Sequence, residues 1–355
     1  MDTAAHTTAA AKKKLIRRSQ PDTSQRTRRA VQFAFLLLNA WIGVQFLLWA
    51  RYFESQGHTR YFARPAGVDG WLPIAGLMNL KYFAVTGRVP LMHPAALTLT
   101  ALFLLSSLLL KKSFCSWLCP VGTVSEYLWK LGRKLFRRNL TVPRWLDLPL
   151  RGLKYLLLAF FLFIVVSMSA EALNSFLTAP FGIIADVKML NFFREISVVG
   201  VSVLGSLVLL SVFIQNFWCR FLCPYGALMG IVSAVNPVKI RRDADACIDC
   251  GKCNRACPSQ LPVDKLVTIR SVECTACMEC VAVCPAENAL QFALPPRKTA
   301  LPWHHRIVRP AYAAATLAVL FFGLIGLARA TGHWQTNVPR DVYMQLVPHA
   351  DEYGH

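Results

Sequence analysis

Acidic residues are scarce in this chain: 19 Asp and Glu stand against 39 Lys and Arg, and charged residues of both signs make up only 16% of the 355. With 55% hydrophobic residues and a mean hydropathy of +0.40, the composition excludes an ordinary soluble fold and reads as a membrane protein. Histidine is scarce too. Of His6, His58, His93, His304, His305, His333, His349 and His355, only His93 falls at the edge of an apolar helix, so the facing pair that a membrane b-type haem needs is missing. No C-x-x-C-H run occurs, which excludes c-type haem. Neither a phosphate-binding glycine loop nor a dinucleotide fingerprint is present.

What is present is apolar length. A bilayer core takes roughly 20 residues of helix, and five stretches qualify: Val31 to Ala50, Pro94 to Leu110, Leu153 to Ala170, Ile196 to Trp218 and Ala311 to Ala328. The expected fold is mainly α, a polytopic transmembrane bundle of five spans in a membrane domain over 31–245 and a last span at 311–328. The stretch Trp71 to Val85 is short and holds Pro73 and Lys81, so it is expected as a re-entrant or surface element rather than a sixth span. With five spans, Lys and Arg divide 29 against 9 between the two sides. The positive-inside rule sends the rich side, residues 1–30, 111–151 and 218–309, to the cytoplasm and the tail 329–355 to the periplasm. The basic tail 1–30 and its like account for the +20 net charge through topology and anionic lipid, without nucleic acid. The first span is longer than the apolar region of a cleaved signal peptide and reads as a retained anchor.

The segment 246–295 is polar and rich in cysteine. CIDCGKCNRACP and CTACMECVAVCP each repeat C-x2-C-x2-C-x3-C-P, the ferredoxin-type spacing for a 4Fe-4S cluster. Three thiolates in a short loop wrap three corners of a cubane, and the fourth Cys of each run ligates the other cluster. Cys247, Cys250, Cys253 and Cys284 are thus expected on one cluster, and Cys274, Cys277, Cys280 and Cys257 on the second, with Pro258 and Pro285 turning the chain away. Disulfides are excluded on the reducing side, and zinc does not call for a doubled eight-cysteine run. Lys239, Arg241, Arg242, Lys252, Arg255, Lys265 and Arg270 surround the motif, either to favour the reduced clusters or to hold the module on the membrane surface.

Two further pairs stand at span ends, Cys115 with Cys119 in FCSWLCPVG and Cys219 with Cys223 in WCRFLCPYG. Spacing of four puts two thiols on one helical face, and Pro120 or Pro224 is expected to end or bend the helix there. The flanking spans make the halves a parallel internal repeat with a period of 104 residues. If the halves pack with that symmetry, four cysteines meet at the seam as a further metal centre or a redox dithiol.

The stretches RPAGVDGWLPIAGLMNLKYF (64–83), KKSFCSWLCPVG (111–122), FWCRFLCPYGALMG (217–230) and CIDCGKCNRACPSQLPVDKL (247–266) resemble the membrane polyferredoxins of the NapH, NosR and CcoG kind. The resemblance runs from about residue 30 to the end. It implies a bacterial inner-membrane iron–sulfur protein exchanging electrons with the quinone pool or a redox partner protein. The flavin-binding domain of the NosR kind and the immunoglobulin-like domain of the CcoG kind are not seen, so neither specialised role carries over.

On the outer side, Arg64, Lys81, Arg88 and His93 among aromatics form a candidate frame for a quinone head group. The tail from Gly332, with His333, Trp334 and His349, reads as exposed, or as a docking or metal-binding segment. The bilayer core, about 30 Å thick, is too wide for one electron hop. The expected function is electron transfer through two 4Fe-4S clusters. The alternatives are a metal-ion reductase, for example of copper, serving cofactor assembly, with the cysteine pairs as its working site, and a non-catalytic redox sensor.

Overall fold

The computed structural model describes residues 16–19, 22–295 and 306–354. Most of the basic tail, together with His304, His305 and His355, lies outside the described residues, and so does His6.

The helices follow in the order α1 (Ser24–Glu54), α2 (Pro73–Thr86), α3 (Pro94–Leu110), α4 (Ser113–Trp117), α5 (Pro120–Phe136) and α6 (Arg144–Ser167). Short α7 (Ala170–Thr178), α8 (Pro180–Ile183) and α9 (Ala185–Arg194) lead to α10 (Val198–Phe213), a π-turn at Trp218–Leu222 and α11 (Pro224–Val232). The cysteine-rich module contributes β1 (Lys239–Arg242), α12 (Lys252–Ala256), α13 (Glu279–Ala282) and β2 (Leu290–Ala293), and α14 (Pro310–Ala330) and α15 (Arg340–Leu346) close the chain. Strands β1 and β2 pair antiparallel, Ile240 opposite Phe292.

Helix α3 is the hub. Ala95, Ala96, Thr100, Ser106 and Ser107 keep its surface low, so α2, α11 and α14 approach closely, as small residues allow between apolar helices. A Cβ added at Gly76 of α2 would lie 2.1 Å from Thr100 Oγ1.

Three helices are long and apolar enough to cross a membrane: Ser24–Glu54, Trp145–Ser167 and Pro310–Ala330. A fourth is reached if α9 and α10, bent by 83°, form one broken span, whereas Pro94–Leu110 is a shorter apolar helix. Two expected boundaries move. The third span begins nine residues earlier than its apolar run, at Arg144, with Pro149 inside the helix. The fourth is cut at both ends. Ser197 caps it by accepting from Gly200 N, and at its far end Leu140 N donates to Phe213 O, with Asn216 left-handed just beyond.

After α1 the chain turns back along it. Gln45 Nε2 donates to Ala63 O at 2.9 Å and Trp71 Nε1 to Asn39 Oδ1 at 3.0 Å. Helix α2 then returns antiparallel to α3, Asn79 Nδ2 donating to the carbonyls of Met92 and His93. Lys81 caps the end of α6: its ammonium donates to the carbonyls of Val165, Val166 and Met168.

The end of the bundle at the start of α3 is closed by a buried polar knot and an aromatic cap. His93 Nδ1 meets Asp69 Oδ1 at 3.0 Å and its Nε2 meets Gly182 O at 2.9 Å, while Arg64 bridges Asp69 and Asp186. Helix α15 folds back onto α1, with Tyr343 edge-on to Trp49 at 5.0 Å, and Trp334 is buried against Ala66 and Ala328. The tail is therefore anchored by Trp334, Tyr343, Leu346, Val347 and Ala350, while His333 and His349, the latter paired with Glu352, stay exposed as expected.

Candidate iron-sulfur site

The two cysteine loops are built alike. In each C-x2-C-x2-C run the residues two and four places after the first cysteine are left-handed: Asp249 and Gly251 in one, Ala276 and Met278 in the other. Left-handed turns at matching places curl both loops around a centre, and L-residues accept them only where the surroundings impose them.

Charge acts among Cys247, Cys250, Cys253 and Cys284 and among Cys257, Cys274, Cys277 and Cys280, and Cys253 also acts on Cys280 across the two sets. The second four line a small cavity walled by Ile240, Leu261, Val263, Ile269 and Met278. All twelve cysteines are free thiols. Among the described residues, no three His, Cys, Asp or Glu side chains are grouped to hold a single metal ion. Burial pushes Cys253 and Cys257 up to about 11 and Cys277 up to about 12. A thiolate there needs a cationic core, so loading the site releases protons. Backbone N–H groups supply part of the compensation, from Leu261 to Cys257 and from Asn254, Ala276, Glu279 and Ala286 to their own cysteines. Donors of this kind tune a cluster's potential. The donor set and the matched loops fit a cubane.

The first group is the wetter. Cys250 is exposed and Cys247, Cys253 and Cys284 are half-buried, whereas Cys257 and Cys280 are buried.

Cysteines 115, 119, 219 and 223 also come together, close enough for their charges to act on one another. Their local geometry corrects the expectation from spacing. Cys115 lies in α4 and Cys219 in the π-turn Trp218–Leu222, whereas Cys119 is the N-cap of α5 and Cys223 the N-cap of α11, so neither pair shares one helix. As expected, the helical run ends just before Pro120 and Pro224, with Cys119 and Cys223 extended; each proline also starts the next helix, because a first-turn residue has no intrahelical N–H bond to lose. Gly122 is required by contact: a Cβ there would lie 2.1 Å from the Cys115 carbonyl, whereas at Gly226 the nearest atoms stand at 3.6 Å.

The residues between these cysteines fasten the membrane part to the module. Ser116 Oγ donates to Thr275 O at 2.6 Å and Trp117 Nε1 to Ala276 O at 3.2 Å. Thr275 and Ala276 lie between Cys274 and Cys277, so the first C-x3-C loop is stitched to a C-x2-C loop. Arg220, between Cys219 and Cys223, donates to Gln260 near Cys257 and pairs with Asp147. Neither contact was legible from spacing.

Two buried ionic networks complete the clamp. Arg28 pairs with Glu126 and Glu279, and Lys130 with the same two carboxylates. Burial alone would raise Glu126, but hydrogen bonds and charge from Arg28 and Lys130 hold it down at about 2. Glu273 accepts from Lys154 at 2.5 Å and Tyr155 at 2.9 Å, with Lys112 at 4.0 Å. The module is thus held by its own Glu273 and Glu279 gripping cations of the membrane helices. Of the seven cations expected either to favour the reduced clusters or to hold the module on the membrane surface, Arg242 pairs with Asp249, and Lys252, Arg255 and Lys265 line an open groove. The outer residues proposed for a quinone are engaged elsewhere: Arg64 and His93 in the buried knot, Lys81 on α6. Arg88 is exposed.

An apolar helical bundle gripping a doubled ferredoxin-type cysteine run defines a membrane iron–sulfur protein. Family comparison agrees: a 4Fe-4S binding domain matches twice, over 92–139 and 196–242, and a 4Fe-4S dicluster domain matches 239–285. The chain is 50% identical to "Putative electron transport protein YccM" of Escherichia coli over 334 residues, 92% of this chain and 91% of that one. It is 26% identical to ferredoxin-type protein NapH of Escherichia coli, over 59% of this chain and 70% of the other, and 30% identical to regulatory protein NosR of Pseudomonas aeruginosa, over 50% and 24%. The chain belongs to the membrane polyferredoxin family. No solved structure matches it.

Proposed function

We propose that the chain is an integral inner-membrane electron-transfer protein, with the ferredoxin module in the cytoplasm and five spans in two repeated halves. Cys247, Cys250, Cys253 and Cys284 would hold one 4Fe-4S cluster and Cys274, Cys277, Cys280 and Cys257 the other. When bound, such clusters supply one-electron transfer. The chain's own part is to bury the second site, leave the first open to water and fix both against the membrane helices.

The observation that carries this reading is the pair of hydrogen bonds from Ser116 and Trp117 to Thr275 and Ala276, which joins the four membrane-edge cysteines to the buried cluster loop. A further thiolate metal centre at Cys115, Cys119, Cys219 and Cys223 extends the path. Lys112 and Lys154, both buried, act on Cys115 against the single carboxylate of Glu273, a local excess of positive charge that an anionic thiolate centre would balance. The path leads toward the quinone pool or a membrane redox partner.

Anaerobically purified protein should contain roughly eight iron and eight sulfide for the two module clusters, and more if the four-cysteine centre is a cluster. Redox titration in membranes, with and without quinone, should show 4Fe-4S signals that equilibrate with that pool. Absence of such signals overturns the assignment. Loss of metal-ion reduction in Cys115→Ser and Cys219→Ser with the module spectrum intact would instead favour the metal-ion reductase.

A further inference from the structure

Beside the cluster loops lies an open groove of about 760 Å³ between the end of α5 and α12. Six cations line it: Arg133, Arg137, Arg138, Lys252, Arg255 and Lys265. The lining includes no carboxylate, and among the described residues none of the six forms an ion pair with Asp or Glu. Cys257 forms part of the wall, and α12 carries Cys253 between Lys252 and Arg255. A concentration of one charge sign at the exposed side of the cysteine sites is a field that steers an oppositely charged molecule to them.

We infer that this groove is the docking surface for a soluble, acidic electron-carrier protein. The inference rests on the electron-transfer reading above and gives that reading its water-side partner. Chemistry narrows the occupant. No aromatic side chain lines the groove, so a flavin or nicotinamide ring would have nothing to stack on. The cations are spread over two elements and a loop, from Arg133 to Lys265, a span suited to a carboxylate-bearing protein surface. Arg133 is already steered by Trp129, 5.1 Å below its guanidinium, and by the Arg255 carbonyl. Arg137, Lys252 and Lys265 carry no side-chain hydrogen bond among the described residues and are free to meet a partner.

The test uses the full-length, cluster-loaded protein in phosphatidylcholine nanodiscs and, as probe, an acidic plant-type [2Fe-2S] ferredoxin. Binding is measured by titration and electron transfer by stopped flow. Wild-type affinity should fall steeply between about 50 mM and 500 mM salt. The triple variant Arg137→Glu, Lys252→Glu, Lys265→Glu should weaken binding and slow association at least ~10-fold, with the dithionite-reduced 4Fe-4S spectrum unchanged. A control with Lys239→Glu and Arg309→Glu, outside the groove, should bind as wild type does. Equal affinity of wild type and triple variant, or an equal loss in the control, overturns the inference. So does a triple variant that keeps ferredoxin but loses only its binding to phosphatidylglycerol vesicles, which would make the groove a lipid contact. Loss of the 4Fe-4S spectrum in wild type itself would instead sink the electron-transfer reading, and the binding titration would still judge the groove.

Discussion

Replacing Arg28 by Met tests the clamp that seats the module. The side chain is fully buried and bonds Glu126 and Glu279 as well as the Ser116 carbonyl. Without it, the two carboxylates share one cation, Lys130, and Glu126 keeps the Gln32 amide as its other donor. Arg28 and Lys130 together hold Glu126 at about 2 instead of 4.5, which at about 1.4 kcal/mol per tenfold sets an upper bound of ~3 kcal/mol at neutral pH for the Arg28 share. Breaking a buried pair by removing one partner costs about 3–5 kcal/mol. The sign with pH is also fixed. A depressed carboxylate stabilises the wild type above its unfolded value and loses that contribution as pH falls from about 4.5 to about 2, so the wild type should be flat between pH 7 and 5. The variant instead keeps a crowded carboxylate pair, and its stability should rise as pH falls over the same window. Heat unfolding in detergent, followed by tryptophan fluorescence, reads both effects, since Trp117 and Trp129 are buried near the clamp. Arg28→Met with Glu126→Gln should recover part of the loss. A single variant within ~1 kcal/mol of wild type, with the same flat pH profile, would refute the reasoning.

Gly122→Ala should cost more than ~3 kcal/mol, or abolish folded protein, because its Cβ meets the Cys115 carbonyl, whereas Gly226→Ala should be within ~1 kcal/mol of wild type; matched thermal melts decide. Trp117→Phe removes the bond to the Ala276 carbonyl and leaves a cavity where the buried indole stood, and should cost ~2–3 kcal/mol, with faster hydrogen exchange in the Cys274–Cys280 loop as the local readout. Lys81→Met leaves three carbonyls at the end of α6 without their donor and should cost ~2–3 kcal/mol, checked by unfolding in detergent. Loading of the apo-protein with iron and sulfide should release protons and strengthen with rising pH, since burial holds Cys253, Cys257 and Cys277 as thiols; proton release measured in weak buffer tests it.

The sequence by itself determined the chemistry and the class. Cysteine spacing is local, and a loop of C-x2-C-x2-C can be read as a wrap before any fold is known. Apolar length and the distribution of Lys and Arg likewise determined a helical membrane body, because the bilayer acts on each segment separately. Tertiary structure decided how the parts meet. That Ser116 and Trp117 bond the loop at Thr275 and Ala276, 159 residues away, and that Lys81 serves as a cap, could not be read from pattern. The same holds for Arg28, whose partners lie 98 and 251 residues on. Such contacts depend on which helix ends are neighbours and which buried charges are left for each other once water is gone, and only the packed chain sets both.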